Sequence, residues 1–160
     1  MSTIIDGTAG ITFPVVAGGT SAVQASSGKV LQVVQATTTS QLSTTSSSFV
    51  TTSFSASITP SSSTSKILAM VSAVGYTNTI NQQSYFTIYR NSTNLNSAGF
   101  VDMLSSTGQL ISNQSFQYLD TPSTTSSTTY TLYFKTDGPG TFYLNVNPQI
   151  SSITLFEIAA

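Results

Sequence analysis

Apolar residues recur along this chain with period two wherever they recur regularly, the mark of strands with one covered face. In "FVTTSFSASI", Val50, Thr52, Phe54, Ala56 and Ile58 fall on one face, and Phe49, Thr51, Ser53, Ser55 and Ser57 on the other. A strand is therefore predicted inside a Ser/Thr-rich tract whose composition alone would suggest disorder. Upstream, "KVLQVVQA" (Lys29 to Ala36) is a β-rich apolar run that predicts the first strand, with Gly28 at its boundary. "TPSSSTS" (Thr59 to Ser65) reads as a turn or loop signalled by Pro60, and "KILAMVSAVGY" after it is apolar on both faces, as in a central strand. Together these segments predict a meander from Phe49 to Tyr76.

Downstream, "SYFTIYR" (Ser84 to Arg90) alternates and ends at the turn-forming "NSTN". Shorter strands are predicted around Ala98 to Met103, Gln109 to Ser112 and Ser115 to Leu119. "DTPSTTSST" is a second loop, and "TYTLYFKT" and "TFYLNV" flank "DGPG", which reads as a hairpin connection. The final "SSITLFEIAA" sets Ile153, Leu155 and Glu157 against Thr154, Phe156 and Ile158. Short strands separated by polar turns predict an all-β fold, an antiparallel Greek-key or jelly-roll sandwich over residues 29–160. Residues 1–28 form an extended N-terminal arm suited to attachment or strand exchange. No exact repeat of roughly 20 to 50 residues points to a solenoid or propeller.

Composition changes the picture at the surface. The 160 residues suit one domain, and only 6% are charged, against roughly a quarter in ordinary soluble domains. Ser, Thr, Asn and Gln supply the polarity, and a net charge of -1 gives a free monomer little colloidal repulsion. Assembly is favoured. Lys29, Lys66, Arg90 and Lys135 are the only cations and are scattered, so no basic footprint for nucleic acid is present. The absence of Cys removes disulfides and thiolate metal sites. No apolar run approaches the roughly 18 residues of a membrane span, and the first residues lack a secretory pattern, so a soluble product made in the cytoplasm is expected.

Without His or Cys, the commonest general base, metal ligand and thiol nucleophile are missing, and no metal or cofactor is expected. Asp6, Asp102, Asp120, Asp137 and Glu157 are dispersed, although two could meet in the fold as a glycosidase pair. Asp137 in "DGPG" and Asp120 before "TP" read more simply as turn formers that bond the local backbone. Glu157 reads as an edge charge or as a partner for Arg90 or Lys135. There is no G-x-S-x-G, and "DGTAGIT" lacks the lysine and spacing of a phosphate loop. Asn91 and Asn113 start N-x-S/T sequons, which matter only in a eukaryotic secretory pathway. No catalytic residue is assigned.

Tyr85, Tyr89, Tyr133 and Tyr143 alternate with Phe86, Ile88, Phe134 and Phe142 and are therefore predicted to point outward, where they suit packing against neighbouring subunits or stacking on sugar rings. "STIIDGTAGITFP" resembles an N-terminal segment recurrent in fibre and other virion proteins of tailed bacteriophages. "GKVLQVVQATTTSQLSTTSSSFVTTSFSASITPSSSTSKILAMVS", "FTIYRNSTNL", "QYLDTPSTTSSTTYTLYFKT" and "SSITLFEIA" resemble a C-terminal domain found in marine and cyanobacterial phages. The resemblance implies a virion structural protein with an outward-facing, trimerising β-sandwich. It transfers no catalytic residue.

An arm of about 28 residues, at roughly 3.3 Å per residue, is too short for a fibre shaft and suits a compact capsid decoration or cement protein on the virion surface. Its expected partners are two further copies and the major capsid protein or another virion protein. Ile4, Ile5, Ile11 and Phe13 of the arm join the four tyrosines as candidate interface residues. The alternative is a short fibre or knob that binds a host glycan or receptor through loops such as Thr37 to Ser48 and Asn78 to Ser84.

Overall fold

The computed structural model describes residues 4–6, 10–12, 28–106, 108–146 and 149–160. Among them every regular element is a strand, and no helix is long and apolar enough to cross a membrane. In chain order these are β1 (Ile4–Asp6), β2 (Gly10–Thr12), β3 (Val30–Thr38), β4 (Leu42–Thr44), β5 (Val50–Ile58), β6 (Lys66–Thr77) and β7 (Gln82–Arg90). The rest are β8 (Thr93–Asn94), β9 (Val101–Ser105), β10 (Leu110–Asp120), β11 (Thr128–Asp137), β12 (Phe142–Leu144) and β13 (Ser151–Ile158). β1 and β2 pair antiparallel, with Ile5 opposite Ile11. Phe13 lies outside the described residues, as do the side chains of Ile4, Ile5 and Ile11.

Two antiparallel sheets face each other. In the first, β6 has β10 along one side and β13 then β12 end to end along the other; β3 flanks β13 and β4 flanks β12. The second runs β5, β11, β7, with β8 and β9 sharing the far side of β7. Numbering the long strands β3, β5, β6, β7, β9, β10, β11 and β13 from one to eight gives sheet orders 1-8-3-6 and 2-7-4-5. First pairs with eighth, second with seventh, third with sixth and fourth with fifth, as in one long hairpin rolled into a barrel-like sandwich. This is jelly-roll topology, which strand periodicity by itself does not separate from other Greek keys.

The core lies between the sheets. Ile58, Ile67, Ile88, Leu132, Ile153 and Leu155 are almost wholly buried, each contributing roughly 1.5–3 kcal/mol through lost contact with water. Phe142 of the first sheet meets Phe86 and Phe134 of the second at ring-centroid distances of 5.0 and 6.1 Å. Gly75 makes room for this contact, because a Cβ there would lie 2.9 Å from the Phe142 ring and against Met103.

Most predicted strands form where their periodicity places them. The inward set of β5 is Thr52, Phe54, Ala56 and Ile58, with Val50 half-buried. It keeps this face through a bulge at which Ser53 takes a left-handed φ of 57° and Thr52 to Phe54 oppose Leu132 alone.

Three readings are corrected. Phe49 to Tyr76 is not a meander, since β5 and β6 belong to different sheets and the Thr59 to Ser65 loop crosses between them. "DGPG" is likewise a crossover and not a hairpin, because β11 pairs with β5 and β7 while β12 pairs with β4 and β6. The burial of Phe142 and Leu144 against the opposite sheet fixes that choice. The two short strands expected between Gln109 and Leu119 are one unbroken strand, β10, held in continuous register against β6.

Candidate assembly surfaces

Each sheet has an outer face, and the two differ in chemistry. On the β5–β11–β7–β9 sheet, Tyr85, Tyr89 and Tyr133 are half-buried and alternate with core residues as predicted. Their rings are largely occupied by one another and by a cation. Tyr89 and Tyr133 stack with centroids 3.8 Å apart, and the Lys135 ammonium sits 4.5 Å from the Tyr85 ring centre and 5.4 Å from that of Phe49. Lys135 also pairs with Asp137 at 3.1 Å. Burial, then the charges of Asp102 and Asp137, raise the Tyr85 pKa. Tyr143 does not join this group; it lies on the other sheet, 5.4 Å from Tyr76.

The outer face of the β3–β13–β6–β10 sheet is apolar at one end. Directly opposed positions put Val33, Phe156, Leu68 and Leu119 in one row across all four strands. Leu31 and Met70 extend it, and Leu31, Val33, Met70 and Leu119 are 43%, 54%, 42% and 50% exposed. The neighbouring row is Gln35, Thr154, Met70 and Gln117, followed by Thr37, Ser152, Ser72 and Ser115. A shallow depression of about 570 Å³ lies over these rows, lined by Gln35, Met70, Ser72, Ser115, Gln117 and Phe156 among others. A contiguous apolar row of this kind marks an interaction surface more than scattered exposed leucines do.

None of these residues was singled out from the sequence as an interface. The signal was the double-faced apolarity of "KILAMVSAVGY" together with Phe156 and Ile158 opposite the core set of the last strand. It was read as a strand covered on both sides, whereas the protein itself covers only one.

The carboxylates are engaged separately. Asp120, 5% exposed, accepts from Arg90 at 2.8 and 3.0 Å and from the Tyr130 hydroxyl at 2.7 Å. Burial, the bond to Asp120 and the Asp120 charge push the Tyr130 phenol up, against the opposing pull of Arg90. Asp120 is thus the anchor of a buried network, and Asp137 the partner of Lys135; neither serves the local-backbone role expected of a turn aspartate. Asp102 accepts from Gln83 at 3.4 Å.

Glu157 is neither an edge charge nor a partner of Arg90 or Lys135. It points inward with no exposure and accepts from the Ser61 amide and hydroxyl at 2.7 and 2.6 Å and from Gln32 Nε2 at 2.6 Å. Among the described residues no group of three or more His, Cys, Asp or Glu is placed to hold a metal.

Burial alone would raise the Glu157 pKa, but hydrogen bonds from the side chains of Ser61, Gln32 and Ser65 and from the Ser61 amide outweigh it. They lower the carboxyl from 4.5 to about 2. On acidification the unfolded chain therefore takes up this proton before the folded one. The stability it supplies is full above about pH 5, declines between pH 4.5 and about 2, and is gone below. Denaturant titrations across this window should show a loss of stability on the order of 1 kcal/mol that Glu157→Gln removes. An equal slope in the variant would contradict the assignment.

The surrounding loops are less free than expected. Thr37 to Ser48 contains the end of β3 and all of β4, and Asn78 to Ser84 runs into β7 from Gln82. Where β3 gives way to β4 and β12 to β13, Asn145 fastens the corner. It is wholly buried at a left-handed φ of 58°, donates from Nδ2 to the carbonyls of Thr38 and Ser40 at 3.2 and 3.1 Å, and accepts from the Ser151 hydroxyl at 2.7 Å.

No protein-family model matches the chain, and no curated protein matches it in sequence. Among solved structures it is similar to the VP2 subviral particle of infectious bursal disease virus, with 17% identity and a TM-score of 0.48 over 79% of this chain and 32% of that one. It is also similar to the T=1 particles derived from infectious bursal virus, with 15% identity and a TM-score of 0.46 over 81% of this chain and 36% of that one. The chain spans about a third of the length of these proteins. No residue role or partner transfers from such likenesses.

Proposed function

We propose that this chain is a non-enzymatic structural protein of a virion, an outward-facing trimeric decoration or cement protein on a tailed-phage capsid. The observation that carries the reading is the apolar row across β3, β13, β6 and β10, exposed on a surface almost without charge. Such a face gains free energy when buried against a neighbouring copy or the shell beneath, and no reaction is needed for that contribution. The jelly roll supports the reading as an architecture used by capsid domains, and the resemblance to phage virion segments supplies the particle type. Ile4, Ile5, Ile11 and Phe13 would latch the arm to a neighbour, while Tyr85, Tyr89, Tyr133 and Tyr143 would line lateral contacts.

Purified protein added to capsids lacking it should bind at micromolar concentration. Because few charges take part, raising the salt should leave the binding nearly unchanged. Met70→Lys, at an exposed position, should weaken it roughly tenfold or more without unfolding the domain. A protein that stays monomeric and leaves capsids bare under these conditions refutes the proposal. The second reading is a short fibre or knob that binds a host glycan or receptor through loops such as Thr37 to Ser48 and Asn78 to Ser84, favoured if glycan-array binding survives removal of residues 1–28.

A further inference from the structure

Strand β10 is one edge of the first sheet, opposite β3, and natural edges are normally blunted by charge, proline, bulges or shortness. β10 has none of these between Leu110 and Leu119. It holds unbroken register with β6 over its whole length and carries no charge before Asp120. Its inward residues Ser112, Gln114, Phe116 and Tyr118 are only half-buried, so the opposite sheet leaves this edge partly open. Along the free side, no backbone group of β10 bonds another described part of the chain. The edge of β5, by contrast, is interrupted by its bulge at Ser53.

The outward residues of β10 are Ile111, Asn113, Ser115, Gln117 and Leu119. Their chemistry reads the same in both directions about Ser115: apolar, amide, hydroxyl, amide, apolar. An antiparallel strand pair with a twofold axis at Ser115 would oppose Ile111 to Leu119 and Asn113 to Gln117 of a second copy, and Ser115 to itself. Ile111 and Leu119 are 47% and 50% exposed in the single chain, so each apolar end covers an exposed apolar end. On the inward side the same register opposes Phe116 to Gln114 and Tyr118 to Ser112.

We propose that two copies of this chain join edge to edge along β10, residues 111–119, through an antiparallel pair centred on Ser115, making one continuous sheet across the twofold axis. About ten ladder hydrogen bonds close the edge. In a shell of trimers the contact would tie copies in adjacent trimers. It rests on β10 alone, and stands or falls separately from the decoration reading.

The chain has no cysteine, so one introduced thiol reports the register without background. Opposed residues in an antiparallel pair have Cβ atoms roughly 4.5–5.5 Å apart, close enough for a disulfide after small adjustment. Full-length Ser115→Cys, under mild oxidation at tens of micromolar, should become a covalent dimer. Asn113→Cys alone and Gln117→Cys alone should stay largely uncrosslinked, while an equimolar mixture of the two should form the heterodimer. Ser115→Lys, which sets two ammonium groups face to face at an exposed site, should weaken wild-type dimerisation at least tenfold in sedimentation. Equal crosslinking at all three positions, a monomeric Ser115→Cys under oxidation, or dimerisation unmoved by Ser115→Lys each overturns the proposal. Capsid binding by a Ser115→Lys protein that no longer dimerises would separate the two readings.

Discussion

Replacing Asp120 with alanine is expected to lower the unfolding free energy by about 3 kcal/mol. The carboxylate is nearly buried and satisfies two donors from the other sheet, the Arg90 guanidinium at 2.8 Å and the Tyr130 hydroxyl at 2.7 Å. Its removal strands the wholly buried Tyr130 hydroxyl and leaves a cation whose side chain is only 26% exposed without its counter-ion. Tyr130→Phe removes one bond and should cost about 1 kcal/mol. Asp120→Asn keeps an acceptor for Tyr130 but loses the charge, and should fall between the two. Urea denaturation of the three variants gives this order directly, and a loss below about 1 kcal/mol for Asp120→Ala would show the pair to be worth no more than a surface one.

Asn145→Ala should cost a similar amount, about 3 kcal/mol, through two separable causes. The substitution leaves the part-buried carbonyls of Thr38 and Ser40 and the buried Ser151 hydroxyl without the amide, and it places a Cβ-bearing residue with no compensating side-chain bond at φ 58°. Asn145→Gly retains only the first cause, so it should be less destabilising than alanine by about 1 kcal/mol. For a domain of this size each kcal/mol shifts the melting temperature by roughly 2–4 °C. Equal melting temperatures for the two variants would remove the backbone contribution from the account.

Much of the fold was legible because the inward face of each long strand is written in period two. β3, β5, β6, β7, β11 and β13 lie where their apolar segments put them, and the one-face set read for β5 is the covered one apart from the half-buried Val50, whereas Glu157 of β13 turns inward against expectation. Connectivity was not legible to the same degree. Pro and Gly in "DGPG" and "TPSSSTS" signal that the chain reverses, but whether it returns within one sheet or crosses to the other depends on long-range burial, here that of Phe142 and Leu144. Sequence patterning divides β10 between Ser112 and Ser115, where Asn113 and Gln114 interrupt the apolar residues. An edge strand with one face exposed and the other only half-covered, here by Phe100 over Phe116 and Tyr118, tolerates polar residues that a central strand would not.

The same limit governs the site. Periodicity places Leu68, Met70, Phe156 and Ile158 on the face opposite the core but does not say whether anything in the chain covers it. The partners of Glu157 were hidden for a compositional reason, since Ser61 and Gln32 are single instances of residue types found throughout the sequence. A cation seemed the natural partner for a carboxylate. The two cations considered for it are committed elsewhere, Arg90 to Asp120 and Lys135 to Asp137, and hydroxyl and amide donors hold the buried charge instead.

Cryo-electron microscopy of the intact particle carrying this protein tests the central claim most directly. The account predicts jelly-roll knobs over the capsid at threefold positions, with the Val33, Phe156, Leu68 and Leu119 row turned into a contact with a neighbouring copy or the shell. Density confined to the tail or to fibre tips, with that row open to solvent, would contradict it.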